Sequence, residues 1–255
     1  MMLALVAAAA ALIALPGLTD RLGRRLAPQE WARLCGIALG GGLGLVELAA
    51  VLRAAPPVLR AAGVPVLAAA CERMLGPLLA GGAAASWVAA VTALLLPAFA
   101  VMLWLQGRRV RRRIASDLWL GEPTVIAGHD VVVLPVGRPL ALSFAATANA
   151  ETVVVSAGLL ECLDGRQAAA VVRHEVAHLR LRHQRLLAVA AVVEGVAGWL
   201  APVARSAGAL RLAVERAADE EASSASPTAR RDVRDSLLAL AGLSPVAGVA
   251  AFADP

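Results

Sequence analysis

The 255-residue chain contains no lysine, so all 24 of its basic residues are arginines, and aromatic side chains make up only 3% of it. A net charge of +5 would by itself suit a nucleic-acid surface. With so few rings there is little to stack on bases, and the arginines sit beside apolar stretches, so no nucleic-acid partner is expected. Cysteine is equally scarce. Cys35, Cys71 and Cys162 lie far apart without a C-x-x-C pair, which excludes a disulfide framework and a thiolate zinc knuckle. Any metal here must be held by histidine and carboxylate.

What the chain has in excess is apolar surface: 59% of its residues are hydrophobic and its mean hydropathy is +0.72, against roughly 45 to 50% apolar usage in soluble domains. That points to a lipid bilayer as partner. Three runs, about 1–18, 34–52 and 86–106, approach the length that a bilayer core requires. The first lacks the positive n-region of a cleaved signal peptide, and Arg21, Arg24 and Arg25 follow it, so it reads as an uncleaved anchor with its N-terminus outside. The second is glycine-rich, which lets neighbouring helices approach closely. Its Glu47 is read as reaching the interface or a polar partner. Residues 53–85, punctuated by Pro and Gly, read as an extracytoplasmic connection with a short amphipathic helix around 64–80. The third run ends at GRRVRRRI, where five arginines within six residues mark the cytoplasmic side.

From about residue 114 the texture changes. Segments 123–135, 139–146 and 151–160 read as short strands with turns at Gly128, Gly137 and Asn149. A strong helix follows, with Asp164 as N-cap and Gln167 three residues later in a capping-box arrangement. Further helices are expected over 209–225 and from Ser226-Pro227 to near Gly242. The expected organisation is a membrane region, 1–113, a domain over 114–245, and a short tail, 246–255. The fold class is α+β and predominantly helical.

The capped helix carries His174-Glu175-x-x-His178. Residues four apart lie about 40° apart in azimuth and roughly 6 Å apart along a helix, so both imidazoles can hold one ion. In a random ordering of four His and eleven Glu this motif arises on the order of three times in a thousand chains. Zinc suits two neutral imidazoles and a carboxylate with one position left for water, which Glu175 can reach as general base. The third ligand must come from elsewhere. His183 lies about 140° round from His178, and the longer metzincin pattern would need glycine at Leu181 and histidine at Gln184, so His183 is assigned a supporting role. The segment VERAADEEA offers Glu215 as third ligand and Asp219, one turn on, as acceptor for the other ring N–H of a ligand histidine. This pairing bears on the apolar run 186–204. A single crossing there would put Glu215 across the membrane from His174, so the run is expected to be a buried core helix or one that dips into the membrane and returns.

The stretch VVVSAGLLECLDGRQAAAVVRHEVAHLRLRH followed by VERAADEEA resembles the gluzincin-type membrane metallopeptidases of the BlaR/MecR antirepressor class, related to the HtpX and Ste-type zinc peptidases. The resemblance covers the N-terminal spans in architecture and residues about 120 to 240 in motif order. It implies a membrane-embedded zinc metalloendopeptidase acting on protein or peptide substrates at the cytoplasmic face of the cell membrane. His174, His178 and Glu215 would be its ligands, Glu175 its base and Asp219 a support, and regulatory cleavage of a transcriptional repressor would be one use. Relatives often carry an acidic residue where this chain has Gln167. The sensor members also carry a penicillin-binding domain that these residues do not contain, so β-lactam sensing is not expected. Two other readings stand beside this one: a catalytically silent membrane scaffold or signal relay, and an HtpX-like quality-control protease.

Overall fold

The computed structural model describes residues 2–19, 23, 25–76, 83–117, 120–147 and 150–243. Arg21, Arg24, the turn expected at Asn149 and the tail 246–255 lie outside the described residues. The chain divides into two compact units, Met1–Arg108 with Arg185–Val214, and Arg109–Gln184 with Glu215–Pro255.

The first unit is helical. It contains α1 (Met2–Leu18), α2 (Pro28–Ala61), α3 (Pro65–Leu75) and α4 (Ala83–Asp117) up to Arg108, together with the parts of α7 (His183–Ala197) and α8 (Ala201–Ser223) that fall within 185–214. Among the described residues, two helices are long and apolar enough to cross a membrane: Pro28–Ala61, with mean hydropathy 1.9, and Ala85–Val110, with mean hydropathy 2.3. The apolar part of α1 is shorter.

Helix α2 does not stop where proline and glycine punctuation suggested a connection. It continues through Pro56 and Pro57 and ends only at Ala61. Adjacent prolines remove two neighbouring N–H donors within one turn, a local loss that the long flanks carry. The chain then turns at Gly63, whose φ of 77° favours glycine.

Close approach explains two of the many glycines of α2. A Cβ at Gly42 would meet Ile13 at 2.4 Å and the Ala9 carbonyl at 3.0 Å, and one at Gly36 would meet Leu186 at 2.5 Å. A core of Leu39, Val193, Leu210 and Val214 fills the space between these helices. Ser206, fully buried, accepts from the Gly17 N–H at 3.0 Å and donates to the Ala14 carbonyl at 3.2 Å. It ties α8 to the end of α1, where Pro16 interrupts the helical bonding.

The apolar run 186–204 is divided between two helices. Glu194 on α7 forms a bidentate pair with Arg211 on α8, both N···O distances being 2.6 Å. A single straight helix would hold these residues about 25 Å apart, so the chain doubles back at 198–200. Gly198 permits this, since a Cβ there would strike the Glu194 carbonyl oxygen at 2.4 Å.

The second unit is built on a four-stranded sheet of order β1-β2-β4-β3: β1 (Glu122–Ile126), β2 (His129–Leu134), β3 (Ala141–Thr147) and β4 (Ala150–Ser156). Strands β1 and β2 form an antiparallel hairpin whose two-residue turn, Ala127–Gly128, has positive φ at both positions, the tight geometry that glycine favours. Strand β4 runs parallel to β2 and antiparallel to β3, which leaves β1 and β3 as the edges.

The last strand stops sooner than the run of apolar residues suggested, because 157–160 begin α5 (Ala157–Cys162). Ser156 decides this: its hydroxyl accepts from Leu159 N–H as N-cap and from Leu140 N–H, and donates to the Arg138 carbonyl. Helix α6 (Gly165–Arg180) starts at the expected capping box, with the Asp164 carboxylate accepting from Arg166 and Gln167 N–H and the Gln167 side chain accepting from Asp164 N–H. Its apolar face, Ala168, Val172 and Leu179, packs with Val131, Val153, Val155 and Leu159. Helix α9 (Ala229–Leu243) adds Ala239 and Leu240 to that cluster.

Candidate metal centre and cleft

Packing the apolar face of α6 onto the sheet turns the other face, with His174, Glu175 and His178, toward the C-terminal part of α8. There Glu215 and Asp219, one turn apart, share a face. The structure brings the three proposed donors together: His174 Nε2 is 3.1 Å from His178 Nε2, and Glu215 Oε2 is 3.4 Å from the first and 3.7 Å from the second. Ligands at about 2.0 to 2.1 Å from a tetrahedral zinc stand about 3.3 Å apart, so the three separations bracket the value that a zinc site needs.

The far nitrogens of both rings are engaged. His174 Nδ1 lies 2.9 Å from Asp219 Oδ1, which fixes the proton on Nδ1 and leaves the Nε2 lone pair turned inward. His178 Nδ1 lies 3.1 Å from Nδ1 of His183, a fully buried residue at the start of α7. With its own Nε2 facing the other donors, His178 donates from Nδ1 and His183 accepts. The supporting position expected for His183 is thus next to a proposed ligand. Two inward lone pairs and a carboxylate oxygen form a donor set suited to zinc.

Without a metal, His174 holds an additional proton that a bound ion would displace. Burial opposes protonation of His174, but its hydrogen bonds to Asp219 and Glu215 and the charge of Asp219 outweigh burial and push its pKa up to about 10. The facing rings of His174 and then His178 hold the Glu215 carboxyl well below the usual carboxylate range. Burial, then the neighbouring His178, push His183 down to about 4, so it stays neutral near pH 7 and can accept at Nδ1.

Beside the donors lies a cleft of about 410 Å³, which His174, Glu175 and Asp219 share with apolar residues such as Leu140, Val171 and Leu237. Leu140 reaches it through the Ser156 clamp on the 138–140 loop. The α9 wall, which includes Val233 and Ser236, is absent from the sequence-based site because nothing in the spacing of that helix links it to the motif. Glu221 pairs with Arg180 at 2.7 Å. Each partner lies two residues beyond His178 and Asp219, so this ion pair joins the two helices that carry the site.

A family model described as Peptidase family M48 matches residues 137–233. The match covers under half of the chain, runs from the bend before β3 into α9, and includes all six residues singled out above. It supports a peptidase of the gluzincin metallopeptidase type. No curated protein and no solved structure matches the chain.

Proposed function

We propose that the chain is a membrane-embedded, zinc-dependent endopeptidase that cuts protein substrates at the cytoplasmic face, with His174, His178 and Glu215 as ligands. The observation that carries this reading is the triangle of 3.1, 3.4 and 3.7 Å made by two imidazole nitrogens and a carboxylate oxygen, beside a cleft that Glu175 also lines. When bound, zinc would supply a Lewis acid for the scissile carbonyl and lower the pKa of water to near 7.

The remaining work falls to the chain's own residues. Glu175 takes the proton of the attacking water on its carboxylate and passes it to the leaving amine. Asp219 and His183 hold the ligand rings in orientation through Nδ1. The edge strand β3, whose first residue Ala141 lines the cleft, offers main-chain groups on which a substrate can lie extended.

Two helices of crossing length support the membrane placement, with residues 1–113 as membrane region and 114–245 as catalytic region. The arginines 108–113 near the end of α4 favour the cytoplasmic side for that end. A repressor substrate follows the resemblance to the antirepressor class. The test is elemental analysis of the detergent-purified chain. About one zinc per chain, lost in His174→Ala and in Glu215→Ala, supports the three-ligand site. A folded wild type without zinc overturns it.

A further inference from the structure

A second cavity, of about 680 Å³, lies within the helical unit, among α1, α2, α4 and the α7–α8 turn. Its position is informative. From α4 it takes residues between Val91 and Met102, and from α2 Leu43 and Val46, the middle of each of the two helices long and apolar enough to cross a membrane. The folded-back 193–203 segment closes it, and Gly195 sits so near Phe99 that a Cβ would meet the ring at 2.4 Å.

We propose that this cavity is a binding site for the acyl chain of a membrane lipid. The inference rests on the membrane-embedded reading above. Mid-height in two crossing helices is the hydrocarbon level of a bilayer, so the occupant must be at home there. The lining offers nothing to a polar ligand: its single hydroxyl, Thr92, already donates to the Val88 carbonyl at 2.9 Å. A partner helix is the other apolar occupant, but helix pairs in membranes meet through small residues that let backbones approach. Here the walls are mostly Leu, Ile, Val, Phe and Met, flexible branched surfaces that suit a flexible chain. Access is open from the lipid side, because only 6% of the apolar window of α4 is buried within the protein.

The test uses the full chain in membranes and a phospholipid carrying a photoactivatable group in mid-chain. Alkaline carbonate extraction comes first. Release of the chain from the membrane defeats the membrane-embedded reading itself. With the chain retained, the proposal expects labelling concentrated on Phe99 and Val196. In Ala98→Trp, which fills the cavity, that labelling should fall about tenfold, the equivalent of two methylenes losing their burial. Labelling of the exposed Trp87 and Val88 should stay unchanged. Equal labelling of all these residues, unaltered by the substitution, overturns the lipid site while leaving the membrane placement intact. Covalent capture of another protein's segment in the cavity overturns it too. Ala197→Leu provides the same filling from the other wall if Ala98→Trp does not fold.

Discussion

The Nδ1 atoms of His178 and His183 stand 3.1 Å apart, so a fully buried imidazole five residues beyond the HExxH motif fixes the proton position of a proposed ligand. Removing the acceptor leaves the His178 ring free to rotate. His183→Phe, which keeps the bulk, should weaken zinc binding by roughly 10- to 100-fold, read by competition with a chromophoric chelator. His183→Asn retains an acceptor oxygen and should recover part of the loss. Unchanged affinity in both variants would reduce His183 to core packing.

Glu175→Gln preserves size and keeps the hydrogen-bonding edge of the carboxylate but cannot accept a proton at neutral pH. The variant should fold, hold about one zinc and lose peptide cleavage by at least about a hundredfold. Proteolysis at the wild-type rate would remove Glu175 from the proton path.

Zinc and a proton compete for His174. Its pKa, raised to about 10 from 6.5, means that the metal-free protein carries a proton on that ring near pH 8, which zinc must displace. Affinity should therefore climb about tenfold per pH unit up to about pH 10 and level off there, with about one proton released per zinc. Calorimetry in buffers of different ionisation heat measures both. For the metal-free fold the sign is opposite. The charged contacts of His174 stabilise it fully below 6.5 and fade as pH rises through 10, whereas Glu215, held low, contributes above 4.5 and is lost as pH falls. An affinity flat between pH 7 and 9 would contradict this balance.

Gly42→Leu should destabilise the helical unit by about 1 to 3 kcal/mol, because even its Cβ meets Ile13 and the Ala9 backbone. Gly41→Ala next to it meets nothing within 4 Å and should be neutral or stabilising by up to about 1 kcal/mol. Thermal melts in detergent distinguish them. Equal effects would place the α1–α2 approach elsewhere.

The legible parts of this chain were those with short-range rules. The Asp164–Gln167 box, the i, i+4 histidines and the i, i+4 acidic pair follow from helical spacing alone, and the structure brings them face to face. Where packing at a distance decides, the sequence misled. Pro56 and Pro57 read as punctuation, yet the long helix around them continues. The run 151–160 read as one strand, but Ser156, bonded to the loop before β3, ends it. The fold-back at Gly198 lies in the run 186–204, where the pairing of His174 with Glu215 already argues against a single crossing; hydropathy, which averages over a turn of three residues, does not place the turn itself. The α9 wall of the cleft was illegible for a similar reason: only tertiary packing brings it near the motif.

Ligands on either side of the 185–214 excursion have a thermodynamic consequence of their own. An ion shared by His178 and Glu215 would cross-link the chain across roughly 37 residues, and a closure of that length removes about 4 kcal/mol of unfolded-state entropy when it behaves like a covalent bridge. The same ion that would drive the chemistry would then act as a removable staple. Metal supply would govern how long the fold survives as well as how fast it works.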